Sequence, residues 1–402
     1  MTILPSDKQA ASCAKCGSCV VVCPVFSVDR REALTARGKM HLVNSDLAKQ
    51  VSARFENLFS ECLLCGACEQ VCPRNLPITD IISKARSRFS MFYGKNGLQK
   101  VAARSILAHP ELLKNLVRAG VSLKQLNALP ETSGLRLKLG LLEETCSKKT
   151  ESSSPRAAHN GAVSYFTGCL ARFLQPSVAK ATETLLNRVG LSSATPDTQG
   201  CCGLAAWSAG KRDEARKLAQ KNIVAFEETS GDIITSCASC SSHLLSYPEL
   251  FAGDKIWENR ARKFAGRVQE FTRFFSESHP LPSCTAAGQK KKQIFYHDPC
   301  HLRFMSQGQE TPRNLLFQAG FSLLELEDGA SCCGQGGLFH LAYPQTAEQI
   351  FRKTAEAVLL LNPEAVTTTC SGCLMQYQQG MKSLGDETEV VHLAVLLARN
   401  NV

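Results

Sequence analysis

Twenty cysteines in 402 residues are the side chains best able to do chemistry in this chain. Ten of them fall into two copies of one pattern. The first copy is Cys169, then Cys201-Cys202-Gly203, then Cys237-Ala238-Ser239-Cys240. The second is Cys300, then Cys332-Cys333-Gly334, then Cys370-Ser371-Gly372-Cys373. In each copy 31 residues separate the first cysteine from the vicinal pair, and the copies are offset by 131, 131 and 133 residues at the three stations. Spacing held this closely marks an internal duplication. A vicinal pair cannot easily turn both sulfurs toward one tetrahedral iron, but it can serve two neighbouring irons. Zinc would take four thiolates and leave one over. Soft thiolate ligation without dedicated acidic residues therefore favours an iron–sulfur group at each copy. A purely structural metal site is the plainer alternative, and it needs no fifth thiol.

Eight more cysteines form two runs near the N-terminus. Cys13, Cys16, Cys19 and Cys23 precede Pro24, and Cys62, Cys65, Cys68 and Cys72 precede Pro73. This is the C-x2-C-x2-C-x3-C-P run of proteins that hold two four-iron cubanes, in which the fourth cysteine serves the other cluster. The expected sets are Cys13, Cys16, Cys19 and Cys72 for cluster one, and Cys62, Cys65, Cys68 and Cys23 for cluster two. The proline is expected to stop the chain one turn beyond the third cysteine. Gly17 and Gly66 suit a backbone that passes close to the sulfides and needs positive φ. Zinc would require neither the third cysteine nor the trailing Cys-Pro. Arg37 and Lys39 read either as charges that raise a cluster's potential or as ordinary surface residues.

The elements that must position these groups follow from patterning. The two runs are 49 residues apart. The insert at 30–60 is rich in helix formers, and Ile78-Thr79-Asp80-Ile81-Ile82 opens another apolar stripe at helical spacing. An all-helical ferredoxin domain over 1–97 is expected, followed by a helical bridge and polar linker over 98–160. From there strands and helices alternate. Val163–Thr167 runs into Cys169, Asp232–Thr235 into Cys237, Gln293–Tyr296 into Cys300, Phe321–Leu326 toward Cys332, and Ala365–Thr369 into Cys370. Each cysteine station thus lies just past a strand end, where open α/β sheets place their sites. The fold class expected is an α-helical ferredoxin domain followed by a duplicated α/β cysteine-rich (Cys-Cys-Gly) domain, with copies over 161–284 and 285–402. Cys146, beside the polar linker, and Cys284, in the joint at 276–292, are read as non-ligands.

The remaining features mostly exclude. The net charge of +10 is scattered, and its one dense run is Lys290-Lys291-Lys292. No aromatic and basic interleaving supports nucleic-acid binding. Gly334-Gln335-Gly336-Gly337 belongs to the cysteine motif, and no dinucleotide fingerprint is present, so no bound flavin or nicotinamide is expected and a partner must exchange the electrons. The first residues do not resemble a signal peptide, which with free cysteines points to a reducing cytoplasm. No apolar run reaches the roughly 18 residues that would span a bilayer; the stretch Val390–Ala398 is too short. His297 and His301 flank the second five-cysteine site and are the candidates for a catalytic role, while His243 follows Cys240. Such histidines either donate hydrogen bonds or protons to the cluster, or are hydrogen-bonded residues at strand ends.

Taken together, the tandem Cys-Pro runs and the two Cys…Cys-Cys-Gly…Cys-x-x-Cys copies resemble the iron–sulfur subunit of glycolate oxidase. They are similar also to subunits of D-lactate and anaerobic glycerol-3-phosphate dehydrogenases and to the fused heterodisulfide reductase. Phe295-Tyr296-His297-Asp298-Pro299-Cys300-His301 and Ser331-Cys332-Cys333-Gly334 carry the likeness. The resemblance implies an electron-transfer subunit paired with an FAD-containing dehydrogenase of a 2-hydroxy acid, passing electrons to a quinone or another carrier. It implies two cubane clusters and up to two further ones. In the heterodisulfide reductase branch the complete five-cysteine motif holds a noncubane four-iron cluster that cleaves a disulfide, and both copies here are complete. A cytoplasmic location follows, with attachment to the inner face of the membrane left open.

Overall fold

The computed structural model describes residues 9–45, 52–90, 92–125, 162–281, 291–305, 308–327 and 331–400. Cys146, Cys284, Lys290 and the 126–161 linker lie outside the described residues.

Among the described residues eight short strands form two four-stranded sheets. β1 (Val163–Tyr165), β2 (Ser193–Ala194), β3 (Ile233–Thr235) and β4 (Val268–Glu270) stand in the order β2-β1-β3-β4. β5 (Gln293–His297), β6 (Ser322–Leu324), β7 (Ala365–Thr368) and β8 (Glu389–His392) repeat it as β6-β5-β7-β8. Every pairing is parallel. The inner strands are rich in β-branched and apolar residues because both faces are covered, and β1, β3 and β7 are buried throughout. Helices return the chain between strands at Pro176–Arg188, Arg212–Glu227, Glu310–Gln318 and Pro344–Leu360. Gly190 and Gly320 end two of these with positive φ, as glycine past a helix C-terminus does. In each sheet the order reverses between the first and third strands, and the chain leaves both of those strands directly into a cysteine station. That reversal opens the crevice where such sheets bind their ligands.

β2, β4 and β8 are not among the expected strands. β2 is only two residues long. β4 and β8 each run without a loop into a buried helix, so a short strand and a helix merge into one apolar stretch. The helix Leu393–Arg399 packs on Pro176–Arg188 of the other copy, and Arg188 donates to the Leu397 and Ala398 carbonyls at 3.2 and 2.7 Å. The stretch too short to cross a membrane is thus the seam between the two copies.

Every regular element among the described residues of 9–125 is helical. Thr35 and Ser52 cap the helices Ala36–Val43 and Ala53–Ser60, accepting from Gly38 N and Phe55 N at 3.2 Å each. Met40, Phe55, Phe59, Ile78, Ile81, Ile82 and Phe89 form their core, with Phe55 and Phe59 stacked at 4.5 Å. This helical unit docks onto both copies. Arg212 pairs with Asp80 at 2.8 Å, Ser83 donates to Trp207 O at 2.7 Å, and Asn96 donates to Leu341 O at 3.0 Å.

Candidate iron–sulfur centres

The N-terminal cysteines separate into two cavities. One is lined by Cys13, Cys16, Cys19 and Cys72 with Lys15, Arg37 and Arg74. The other is lined by Cys23, Cys62, Cys65 and Cys68 with Lys39, Leu64 and Thr79. Two turns make this possible. In each loop the residue before the second cysteine, Lys15 (φ 56°) or Leu64 (φ 54°), and the glycine after it, Gly17 (φ 88°) or Gly66 (φ 82°), are left-handed. Such a conformation costs a non-glycine residue about 1–2 kcal/mol, and both loops bear it at the same position. Each loop then enters a short helix, Ser18–Val21 or Ala67–Gln70, that carries the third cysteine inward. Pro24 does not act as the expected stop: it opens a new helix, Pro24–Val28, with Cys23 at its N-cap. Proline fits there because the first turn has no intrahelical use for its missing N–H. The four-thiol donor sets and enclosed cavities fit a four-iron cluster.

Arg86 holds the second of these loops. It is 5% exposed and donates to the carbonyls of Phe59, Ser60, Cys62 and Ser208. One guanidinium therefore fixes Cys62, the end of helix Ala53–Ser60 and the first cysteine-rich copy together.

In the C-terminal half the strand ends converge as the spacing requires. Cys169 follows β1 and lies 3.8 Å from Cys201; Cys333 lies 3.3 Å from Cys373. Gly203 (φ 95°) and Gly334 (φ 83°) turn the chain after each vicinal pair, and a Cβ on Gly334 would stand 2.4 Å from the Ala347 carbonyl oxygen. In each copy the first thiol of the pair is the acceptor. Hydrogen bonds from Cys169 and Cys202 hold Cys201 well below the usual thiol range, and Cys300 and Cys333 do the same for Cys332.

The two five-cysteine sites are neighbours. Cys237 faces Cys370 across the boundary, Ser239 Oγ lies 3.1 Å from Cys370 Sγ, and Ala238 N donates to Thr369 O at 2.9 Å. The second site also abuts the ferredoxin unit: Cys65 shares an apolar cluster with Cys300 and Cys332, and Leu63 packs against Gly336. The thiol sets therefore form one series. It begins at Cys16, the exposed member of the first set, passes through the set of Cys65, then that of Cys332, and ends in that of Cys201.

The cysteine-rich (CCG) domain family matches residues 163–245 and 294–378, and the 4Fe-4S dicluster domain family matches 9–76. The chain is 27% identical over 419 residues to the probable glycolate oxidase iron–sulfur subunit of Bacillus subtilis, covering 97% of this chain and 94% of that one. It is 24% identical to the glycolate oxidase iron–sulfur subunit of Escherichia coli, over 92% and 90% of the two chains. To lactate utilization protein A of Shouchella clausii it is 33% identical over 236 residues, 58% of this chain and 98% of that one. The chain belongs to this family of iron–sulfur proteins.

Within the family frame, the two copies are not equivalent. In the first, Asn222 donates to Cys201 O and to Tyr247 Oη at 3.0 Å each, and Tyr247 donates to Cys202 O at 2.8 Å, so the vicinal pair is held by its own backbone. In the second, His297 stands beside Cys333 and Cys373, with Nδ1 3.2 Å from Tyr377 Oη. His301 Nδ1 lies 3.0 Å from Ser239 Oγ and 3.7 Å from Cys300 Sγ, bridging the two sites. His243 is not a strand-end residue: it lies in the helix Ala238–Leu245, its Nε2 buried without a partner among the described residues, and burial pushes its pKa down to about 3.

Three residues near these sites escaped the sequence reading. Asn222 and Tyr247 carry no motif. Glu270, at the end of β4, is buried with Oε1 unpartnered, and desolvation raises its pKa to about 7. Lys39 is a correction of another kind: the surface reading fails, because the residue is completely buried. Arg37 is half-buried and paired with Glu32 at 2.7 Å.

Proposed function

We propose that this chain is the electron-carrying iron–sulfur subunit of a flavin-dependent 2-hydroxy-acid dehydrogenase complex acting on glycolate or D-lactate. The observation that carries the reading is the unbroken series of four thiol sets, from exposed Cys16 to the paired C-terminal sites. Bound iron–sulfur clusters would supply one-electron transfer. Cys13, Cys16, Cys19 and Cys72 would hold the first cubane, and Cys23, Cys62, Cys65 and Cys68 the second. Cys300, Cys332, Cys333, Cys370 and Cys373 would hold the next group, and Cys169, Cys201, Cys202, Cys237 and Cys240 the last. The chain's own part is to keep these sets adjacent, with the inner ones shielded from water and Cys16 exposed. An FAD-containing subunit oxidises the hydroxy acid, and a quinone or another carrier completes the path. No helix among the described residues is long and apolar enough to cross a membrane, so contact with a membrane carrier would be peripheral.

A second reading is favoured by one arrangement: both five-thiol sites are complete and meet at Cys237 and Cys370, with Ser239 and His301 between them. In that reading the chain reduces a disulfide there at a noncubane group. Iron and sulfide content, with EPR, on anaerobic wild type and Cys333→Ser tests both. Roughly sixteen irons, at four per cluster, with a noncubane signal lost in the variant, supports four clusters. Disulfide turnover with an artificial reductant and no flavoprotein then separates a reductase from a carrier. About eight irons, with signals indifferent to the substitution, would overturn the C-terminal assignment.

A further inference from the structure

Lys39 lies on the helix Ala36–Val43 with 0% of its surface exposed, and it lines the cavity of Cys23, Cys62, Cys65 and Cys68. Its Nζ donates to the Leu34 carbonyl and, at 3.4 Å, to that of Glu61. Among the described residues no carboxylate pairs with it. The Glu61 carboxylate lies 3.3 Å from Arg31 and 3.5 Å from the Thr346 hydroxyl. A buried ammonium without a counter-ion is strongly disfavoured. Two carbonyl dipoles do not neutralise it. The charged groups that act on it are the thiols of Cys62 and Cys23, which can gain negative charge, the Arg86 guanidinium, which repels it, and the Glu61 carboxylate, already engaged by Arg31.

The first cavity is built differently. Its cations are Lys15 and Arg74, both exposed, and Arg37, whose side chain is 32% exposed and paired with Glu32. Water screens all three, and Glu32 also pairs with Arg37. Among the described residues only the second cavity has a dehydrated, unpaired positive charge at its wall.

We propose that Lys39 is the residue that sets the reduction potential of the second ferredoxin site, raising it above that of the first. The inference rests on the reading that Cys23, Cys62, Cys65 and Cys68 hold a four-iron cluster. A thiolate-ligated cluster carries net negative charge, and reduction adds one more electron to it. A fixed ammonium therefore stabilises the reduced form more than the oxidised form, and in a low-dielectric wall the interaction is weakly screened. Raising the inner site relative to the outer makes the step from Cys16's set to Cys65's set downhill. Electrons entering at the exposed face are then drawn toward Cys332.

The test is an EPR-monitored redox titration of anaerobically purified wild type, Lys39→Met, Lys39→Arg and Arg37→Gln, with Cys65→Ser assigning the second site's signal. Methionine matches the lysine stem and removes the charge; Lys39→Gln replaces it should the methionine variant not retain iron. The expected result is a fall in the midpoint of the second signal in Lys39→Met, with the first signal unmoved. Lys39→Arg should stay near wild type, and Arg37→Gln should move neither by as much. A loaded neutral variant whose second midpoint equals that of wild type overturns the role of Lys39. A wild type with no signal sensitive to Cys65→Ser would instead overturn the cluster assignment on which the inference stands.

Discussion

At the scale of single residues, what surrounds a side chain after folding decides its chemistry, and Glu270 shows the cost of burying a carboxyl. Its Oε2 accepts from the amide and hydroxyl of Thr272, no cation faces it among the described residues, and its pKa rises from 4.5 to about 7. The folded state therefore binds this proton more tightly than the unfolded state. The penalty is absent below about pH 4.5 and grows to its full size as pH passes 7. Glu270→Gln keeps the shape and abolishes the charge. Relative to wild type it should be indifferent near pH 4 and more stable at pH 8, by roughly 3 kcal/mol. Paired thermal melts across that range check it, and a stability difference that is flat with pH would mean the carboxyl is neutral throughout or solvated. Burial of this kind is not announced by neighbouring positions, so Lys39, Asn222 and Glu270 could not be read from the chain. Cysteine spacing is a local property, so the grouping of the N-terminal thiols could be, including the exchange of Cys23 and Cys72 between the two cavities.

At the scale of elements, β1, β3, β5, β6 and β7 were readable because each is a short, largely apolar run that leads to a cysteine station. β2 was not, because two residues carry no pattern. β4 and β8 were not, because they pass without a turn into Phe271–Arg273 and Leu393–Arg399, and the period changes inside one apolar stretch. The helix Ile78–Ser87 was readable from its stripe, but its chief work is done by Arg86, which the stripe does not include. Arg86 reaches four carbonyls in two folding units. Arg86→Met would leave those buried oxygens with fewer donors, at a cost on the order of 3–5 kcal/mol by analogy with other broken buried charged networks. Because Cys62 O is among them, iron should be lost from the second N-terminal site before the first. Iron counts with EPR on Arg86→Met, against Arg88→Met as a control on the exposed side of the same turn, distinguish this from general destabilisation. Equal loss from both sites would refute a local role.

At the scale of the whole molecule, the ferredoxin unit has no independent boundary. Val25, Leu34, Leu63 and Cys65 share one apolar cluster with Phe339, Ala342, Tyr343 and Ile350 of the second copy. Tyr343 Oη donates to Asn57 O at 3.2 Å and also meets Ser60. On the other side Arg104 pairs with Glu214 of the first copy at 2.9 Å. A sequence reading divides the chain by composition and spacing, which sees linkers but not shared cores, so this joint was invisible to it. The joint is what brings Cys65 beside Cys332, and the proposed path depends on it. If the core is common, the wild type should lose its visible iron–sulfur absorbance and its helical circular dichroism in a single transition. Phe339, 4% exposed in that core, is where to separate them. Phe339→Asp would bury a carboxylate with no partner. The helical unit should then melt apart from the two sheets, giving two transitions, and electrons delivered to the N-terminal sites should reach the C-terminal sites more slowly. Two transitions already present in the wild type would mean that the contact is weak and that the series of thiol sets is broken between Cys65 and Cys332 for much of the time. A single transition retained in Phe339→Asp would place the coupling elsewhere, at Arg104–Glu214 and Arg212–Asp80.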